Sequence, residues 1–135
     1  MIAAIERTQA AALDRAADLA FRSLAAGGVL HVFGSGHSHA VAEEAFHRAG
    51  GLAPVNVIQE AFLTPLAPPA LGGHLERLPG LARAILDTHD LRPGEMLIVI
   101  SNSGINAVPV EVALEGKARG LQVIALTSGD HSRAV

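Results

Sequence analysis

Two short loops of serine and glycine contain the residue types best suited to binding an anion. The first, residues 34–38, has the sequence Gly-Ser-Gly-His-Ser and follows the apolar run 29–33. The second, residues 101–104, has the sequence Ser-Asn-Ser-Gly and follows the apolar run 96–100. Small residues let backbone N–H groups and hydroxyls approach a ligand closely, and a following helix turns its positive end toward the same point. The pair of loops therefore predicts a site for an anion such as phosphate.

The pattern of apolar residues predicts the elements that must position these loops. Helical spacing predicts helices over 2–26, 38–49 and 81–89, and a last one with Asn106 as its N-cap that runs to about residue 119. Short apolar runs predict strands over 29–33, 54–58, 96–100 and 122–126. The stretch 59–80 contains four prolines and several glycines, so we predict a long loop there.

Alternating helices and strands predict an α/β fold, a mostly parallel sheet with helices on both faces. With strand order 2-1-3-4, the order reverses between the first and third strands, and ligands bind at such a point beyond the carboxyl ends of the strands. Those two strands carry the two loops. We therefore expect the loops to be two halves of one site.

Composition excludes several classes of protein. The 135 residues suit one domain, and the balance of 10 basic and 13 acidic residues gives a net charge of -3. With four Phe and no Tyr or Trp, the sequence lacks both the charge and the stacking residues of a nucleic-acid binder. It has no cysteine, no signal-peptide pattern and no apolar run long enough for a membrane. We expect a cytoplasmic protein that contacts neither membrane nor nucleic acid.

The motifs resemble those of the SIS (sugar isomerase) domains, which bind phosphosugars. The first loop fits the form Gly-x-Gly-x-Ser, and residues 101–106 fit Ser-x-Ser-Gly-x-(Ser/Thr/Asn). The resemblance covers nearly the whole chain and is greatest to the small stand-alone phosphosugar-binding proteins. It implies a flavodoxin-like three-layer fold, and a phosphate held by the two loops. The implied phosphate-binding residues are Ser35, Gly36, His37, Ser38, Ser101, Asn102, Ser103, Gly104 and Asn106.

Glutamates after the first loop are the candidate bases for moving a proton between neighbouring carbons of a sugar phosphate. The run Ala-Glu-Glu at 42–44 resembles one that contains the catalytic base in sedoheptulose-phosphate isomerases of this fold, although here it lies about one helical turn nearer the loop. Motif order favours Glu44, whereas helical geometry places Glu43 beside the core stripe. Glu60, just after the second strand, is a third candidate. Both Glu43 and Glu44 also fit a simple solvated helix face.

Histidines are numerous, at seven. His37 and His39 flank the predicted phosphate serines and titrate near neutrality, so either is a candidate ligand contact or ring-opening group, and His39 joins the two glutamates as a catalytic candidate. His39, Glu43 and His47 also share one helical stripe that could bind a divalent metal, but no fourth ligand can be named. We expect no metal and no cofactor. His31, within the first strand, is expected to be a hydrogen-bonded core residue.

SIS domains normally continue past a fourth strand into further helices and a fifth strand. We therefore expect residues 1–135 to be one SIS domain that lacks its last strand and helices. An exposed fourth-strand edge favours pairing, so a homodimer or higher homo-oligomer is expected. The leading functional hypothesis is a phosphosugar-binding protein with aldose-ketose isomerase activity. The alternatives are a phosphosugar sensor without turnover and a lyase that cleaves an ether from an amino-sugar phosphate.

Overall fold

The computed structural model, which describes residues 2–134, contains one four-stranded parallel sheet. Its strands are β1 (Leu30–Gly34), β2 (Val55–Ile58), β3 (Met96–Ile100) and β4 (Gln122–Leu126). Their order is β2-β1-β3-β4, and every neighbouring pair is parallel. The predicted α/β class and strand order are confirmed. The carboxyl ends of β1 and β3 lie side by side, because Gly34 pairs with Ile100.

Six α-helices and two short 3₁₀ turns connect and flank the strands. The 3₁₀ turns are Gly36–Ser38 and Ala61–Leu63. The helices are α1 (Ile2–Ala25), α2 (His39–Ala45), α3 (Pro69–Glu76), α4 (Leu81–Leu86), α5 (Ala107–Ala118) and α6 (Gly129–Ala134). No helix within residues 2–134 is long and apolar enough to cross a membrane.

Side chains alternate between the two faces of each strand, so the sheet has a core on each side. Phe33, Leu97 and Val99 belong to the larger core, which includes residues of α4 and α5. Val32 and Ile100 belong to a smaller core with Ala42 of α2. Helix α1 buries only Ser23, and its apolar residues Ile2, Ile5, Leu13 and Phe21 are exposed. The apolar stripe of α1 is therefore exposed at Ile2, Ile5 and Leu13, whereas Ala16, Ala20 and Leu24 farther along the helix are half-buried.

Three predicted elements differ from the observed ones. The helix predicted over 81–89 ends at Leu86, three residues early. The helix predicted over 38–49 ends at Ala45, and Phe46, inside the predicted range, is extended and 48% exposed. Ala42 is fully buried against the sheet, whereas the side chains of residues 46–49 are exposed and do not pack against the core. The stretch predicted as a loop over 59–80 contains α3. Pro69 is the first residue of that helix, a position that needs no N–H donor, so proline begins the helix instead of preventing it.

A buried polar network closes the amino edge of the sheet, opposite the two loops. The Glu95 carboxylate accepts hydrogen bonds from His31 Nε2 (2.9 Å) and from the backbone N–H groups of Val29 (3.0 Å) and Arg92 (2.9 Å). Asn56 Nδ2 donates to His31 Nδ1 at 3.1 Å and contacts His89 Nδ1 at 3.4 Å. His31 is therefore the satisfied core histidine that the sequence predicts, and the network joins β1, β2 and the start of β3.

His89 is expected to make the chain less stable as the pH falls below about 6.5, the ordinary histidine pKa. Burial lowers the pKa of His89, opposed by the charge of Glu60 and assisted by that of His31. The unfolded chain therefore binds this proton at a higher pH than the folded chain, and the free energy of unfolding decreases between the two pKa values. Urea unfolding between about pH 5 and pH 7 should show the loss, and His89→Gln should flatten that part of the curve. An unchanged slope in the variant would contradict this assignment.

Candidate functional site

The first loop leaves β1 through a turn that only glycine fits. A Cβ atom on Gly34 would lie 2.5 Å from the Ser38 carbonyl oxygen and 3.0 Å from the His39 backbone nitrogen. Gly36 has φ +54°, a conformation that favours glycine. Ser35 is buried, Ser38 is half-buried and His37 is exposed. The loop is thus folded tightly over the carboxyl end of β1.

The second loop is held in place from within and by the segment that follows β4. The Ser101 hydroxyl oxygen accepts a hydrogen bond from the Gly104 N–H at 3.1 Å, so its own O–H remains available as a donor. The Asn102 carbonyl accepts from the Ser128 N–H (3.1 Å) and from Thr127 Oγ1 (3.3 Å), and Ser132 Oγ donates to the Ser103 carbonyl. These bonds fix the shape of the loop before any ligand binds.

The two loops line one cavity of about 290 Å³ at the carboxyl edge of the sheet. Ser38 comes from the first loop, Asn102 from the second, and Thr127 and Ser128 follow β4. The sequence predicted the first two residues but missed Thr127 and Ser128. A signal was present, because Thr-Ser-Gly at 127–129 is a third run of small polar residues directly after a strand.

The electrostatics of this cavity depend on dipoles, because no Lys or Arg of the described chain lines it. Asn106 occupies the N-cap position of the 12-residue helix α5, yet its side chain caps no N–H group. Pro109, the third residue of that helix, has no N–H, so the N–H groups of Ala107 and Val108 and the uncommitted Asn106 amide are the donors next to the second loop, and none of these residues lines the cavity itself. Such groups can bind an anion without a positively charged side chain.

A second cavity, of about 250 Å³, lies between the first loop and the segment 63–76. Ser35, Gly36 and His37 line one side, and the other side includes Thr64 and the last residue of α3, Glu76. Ser35 Oγ donates a hydrogen bond of 2.5 Å to Glu76 Oε1. Sequence reasoning missed Glu76, because it lies in the stretch predicted to be a loop.

The predicted catalytic residues all lie on α2, His39 at its start and the two glutamates near its end, but they line neither of these two cavities. His39 is buried, and its Nε2 lies 3.1 Å from Glu43 Oε1. The Glu43 side chain is 57% exposed. Glu44 is 69% exposed and forms an ion pair with Arg48. The structure brings His39 and Glu43 into contact, and it turns Glu44 toward solvent.

His39, Glu43 and His47 do not share one helical stripe, because α2 ends at Ala45, before His47. Over residues 2–134 no group of three or more His, Cys, Asp or Glu side chains could hold a metal ion. Glu60, the third candidate base, is half-buried just after β2, and its charge opposes the larger effect of burial, which lowers the pKa of His89.

A sequence profile of the SIS domain matches residues 1–128. The chain belongs to the SIS domain family. This SIS chain is 42% identical, over all 135 residues, to a UPF0309 protein of Halalkalibacterium halodurans, and covers 56% of that relative. The chain is also 44% identical to a UPF0309 protein of Caldanaerobacter subterraneus over 130 residues. This match covers 96% of the SIS chain and 53% of that relative. The SIS chain thus spans about half the length of these curated relatives.

Among solved structures, the SIS chain resembles phosphoheptose isomerase GmhA from Neisseria gonorrhoeae. The TM-score is 0.69 at 24% sequence identity, and the match covers 96% of the SIS chain and 71% of the isomerase chain. The likeness shows the fold that the two proteins share.

Proposed function

We propose that the chain binds a phosphosugar, with the phosphate held between the two serine-glycine loops. The observation that carries this proposal is the cavity of about 290 Å³ that both loops line at the reversal point of the strand order. Ser38, Asn102, Thr127 and Ser128 supply hydroxyl and amide groups there, and no side chain of the described residues brings a negative charge into that cavity. This combination favours a phosphate group.

We further propose that the bound sugar phosphate is isomerised between its aldose and ketose forms. Support comes from membership of the SIS family and from the structural likeness to a phosphoheptose isomerase. The reaction needs a base that takes a proton from one carbon and returns it to its neighbour. Glu43 in contact with His39, and Glu44 beside it, are the proposed groups. A non-catalytic sensor is the second candidate, favoured by the exposure of both glutamates in the single chain.

A second copy of the chain is the proposed protein partner. Ile2, Ile5, Leu13 and Phe21 on α1 are exposed, and so is Leu126 on the edge strand β4. Exposed apolar surface and an unpaired strand edge favour association. A cytoplasmic location, as the cysteine-free sequence predicts, suits a protein that binds a sugar phosphate.

Sugar phosphates are expected to raise the melting temperature of the purified chain. A ligand that binds only the folded state stabilises it by about 2.7 kcal/mol at one hundred times its Kd. A thermal-shift screen with aldose and ketose phosphates of five to seven carbons tests this. Ser38→Ala should weaken the shift, because it removes a hydroxyl from the wall of the proposed phosphate cavity. The matched control is Thr8→Ala, which removes an exposed hydroxyl on α1.

Absence of a shift with every sugar phosphate would refute the phosphosugar proposal. Where a shift is found, nuclear magnetic resonance of the ligand in deuterated water separates the two candidate functions. An isomerase exchanges the proton next to the carbonyl for deuterium, and Glu43→Gln or Glu44→Gln should stop that exchange. Binding without any exchange would favour the sensor.

A further inference from the structure

Glu76 is held at the wall of the cavity of about 250 Å³ beside the first loop. One of its carboxylate oxygens, Oε1, accepts the 2.5 Å hydrogen bond from Ser35 Oγ. Ser35 itself is buried and follows directly after β1. The bond joins the last residue of α3 to the carboxyl end of the central strand. This hydrogen bond to a residue at the end of the sheet therefore fixes the position of the Glu76 carboxylate.

The other carboxylate oxygen of Glu76 is available to a ligand. Within residues 2–134, Oε2 accepts no hydrogen bond, and Glu76 forms no ion pair with a Lys, Arg or His side chain. No buried side-chain oxygen or nitrogen in that range lacks a partner, so Oε2 is not sealed inside the protein. Because Glu76 lines the cavity, an acceptor with uncommitted lone pairs faces the space between α3 and the first loop.

We propose that this cavity receives the hydroxyl-bearing carbons of the phosphosugar and that Glu76 is the carboxylate that binds their hydroxyls. The inference rests on the proposed phosphosugar function and adds a second compartment to that site. An ionised carboxylate only accepts hydrogen bonds, and sugar hydroxyls donate them. His37 and Thr64 line the same cavity and can donate or accept, so polar side chains of complementary type are present among apolar ones.

The two cavities also differ in charge, which orients the ligand. Glu76 brings a negative charge to the cavity beside α3, whereas neither Asp nor Glu of the described chain lines the cavity between the loops. The charge of Glu76 repels a phosphate group from the first cavity, whereas the hydroxyl and amide side chains that line the second can donate hydrogen bonds to it. The phosphate and sugar ends of one molecule therefore have separate compartments on the two sides of the first loop.

Glu76→Gln is the sharpest test, because the glutamine carbonyl can still accept the Ser35 hydrogen bond. Affinity is measured calorimetrically for inorganic phosphate and for the sugar phosphate that gives the largest thermal shift. We expect Glu76→Gln to weaken sugar-phosphate binding about tenfold or more, since a hydrogen bond to a charged group is lost, and to leave phosphate affinity unchanged. Glu115→Gln on α5, which lines neither cavity, should change neither affinity.

The two ligands distinguish the possible outcomes. An equal loss of affinity for phosphate and for sugar phosphate would mean that Glu76 acts only by shaping the first loop, and would overturn the proposal. Unchanged affinity for both would overturn it as well. If the wild-type chain bound phosphate but no sugar phosphate, the proposed function itself would fail. Circular dichroism of Glu76→Gln checks that the variant is folded, and Glu76→Asp, which keeps the charge but shortens the side chain, should lose less affinity.

Discussion

Replacing Glu95 by alanine is expected to lower the free energy of unfolding by about 3–5 kcal/mol. Glu95 is 5% exposed and accepts hydrogen bonds from Val29, His31 and Arg92. Its removal leaves these three donors without their acceptor at the amino edge of the sheet, and buried unpaired donors are costly. Urea unfolding near neutral pH measures the loss. Glu6→Ala, which removes an exposed carboxylate on α1, is the matched control and should change stability by less than about 0.5 kcal/mol.

The same variant has a pH signature. Burial raises the pKa of the Glu95 carboxyl, but hydrogen bonds from His31 and from the Arg92 and Val29 N–H groups outweigh burial and hold the pKa below its ordinary value of 4.5. A lowered pKa in the folded state contributes stability above about 4.5, and this contribution is lost as the pH falls further. The difference between wild type and Glu95→Ala should therefore shrink in acid. A constant difference, or a loss below about 1 kcal/mol at neutral pH, would show that the network is not a major source of stability.

Gly34→Ala is expected to abolish binding at the first loop and to cost about 2–3 kcal/mol of stability. The added Cβ would meet the carbonyl oxygen of Ser38 at 2.5 Å, its carbonyl carbon at 2.7 Å and the His39 nitrogen at 3.0 Å. All three atoms belong to the backbone, so the clash can be relieved only if the turn and the start of α2 move. Ser38 would then leave the wall of the proposed phosphate cavity. Thermal shift with the sugar phosphate and urea unfolding measure the two effects.

Gly129→Ala provides the control for this glycine. A Cβ there would meet only the flexible guanidinium group of Arg133, at 3.6–4.0 Å, which is ordinary contact. Stability and ligand binding should both stay close to those of the wild type. Retained sugar-phosphate binding in Gly34→Ala would mean that the conformation of the first loop is not needed for the site.

Local pattern was sufficient for much of the fold. The strands β3 and β4 have the predicted bounds, and α1 ends within one residue of its predicted end. Apolar runs bounded by glycine and polar turns depend on few distant contacts, which is why they could be identified from the sequence. The length of α2 could not be identified in this way. Residues 46–49 are exposed and do not pack against the sheet, so the helix ends before them. The helix α3 was missed because its prolines were read as helix breakers, whereas Pro69 is the first residue of the helix, where proline is tolerated.

For the candidate site, too, one part could be predicted from the sequence and another part required the tertiary structure. The sequence alone determined the two serine-glycine loops and their positions at the ends of β1 and β3, because turn chemistry and hydrophobic periodicity are local; the strand pairing of the fold then places the loops side by side. Only the tertiary structure decided which carboxylate faces a cavity. Glu43 and Glu44 are close to the first loop in the sequence and yet are exposed, whereas Glu76, 41 residues from Ser35, hydrogen-bonds to it. Such a contact depends on how α3 packs beside the sheet, and no local pattern specifies that packing.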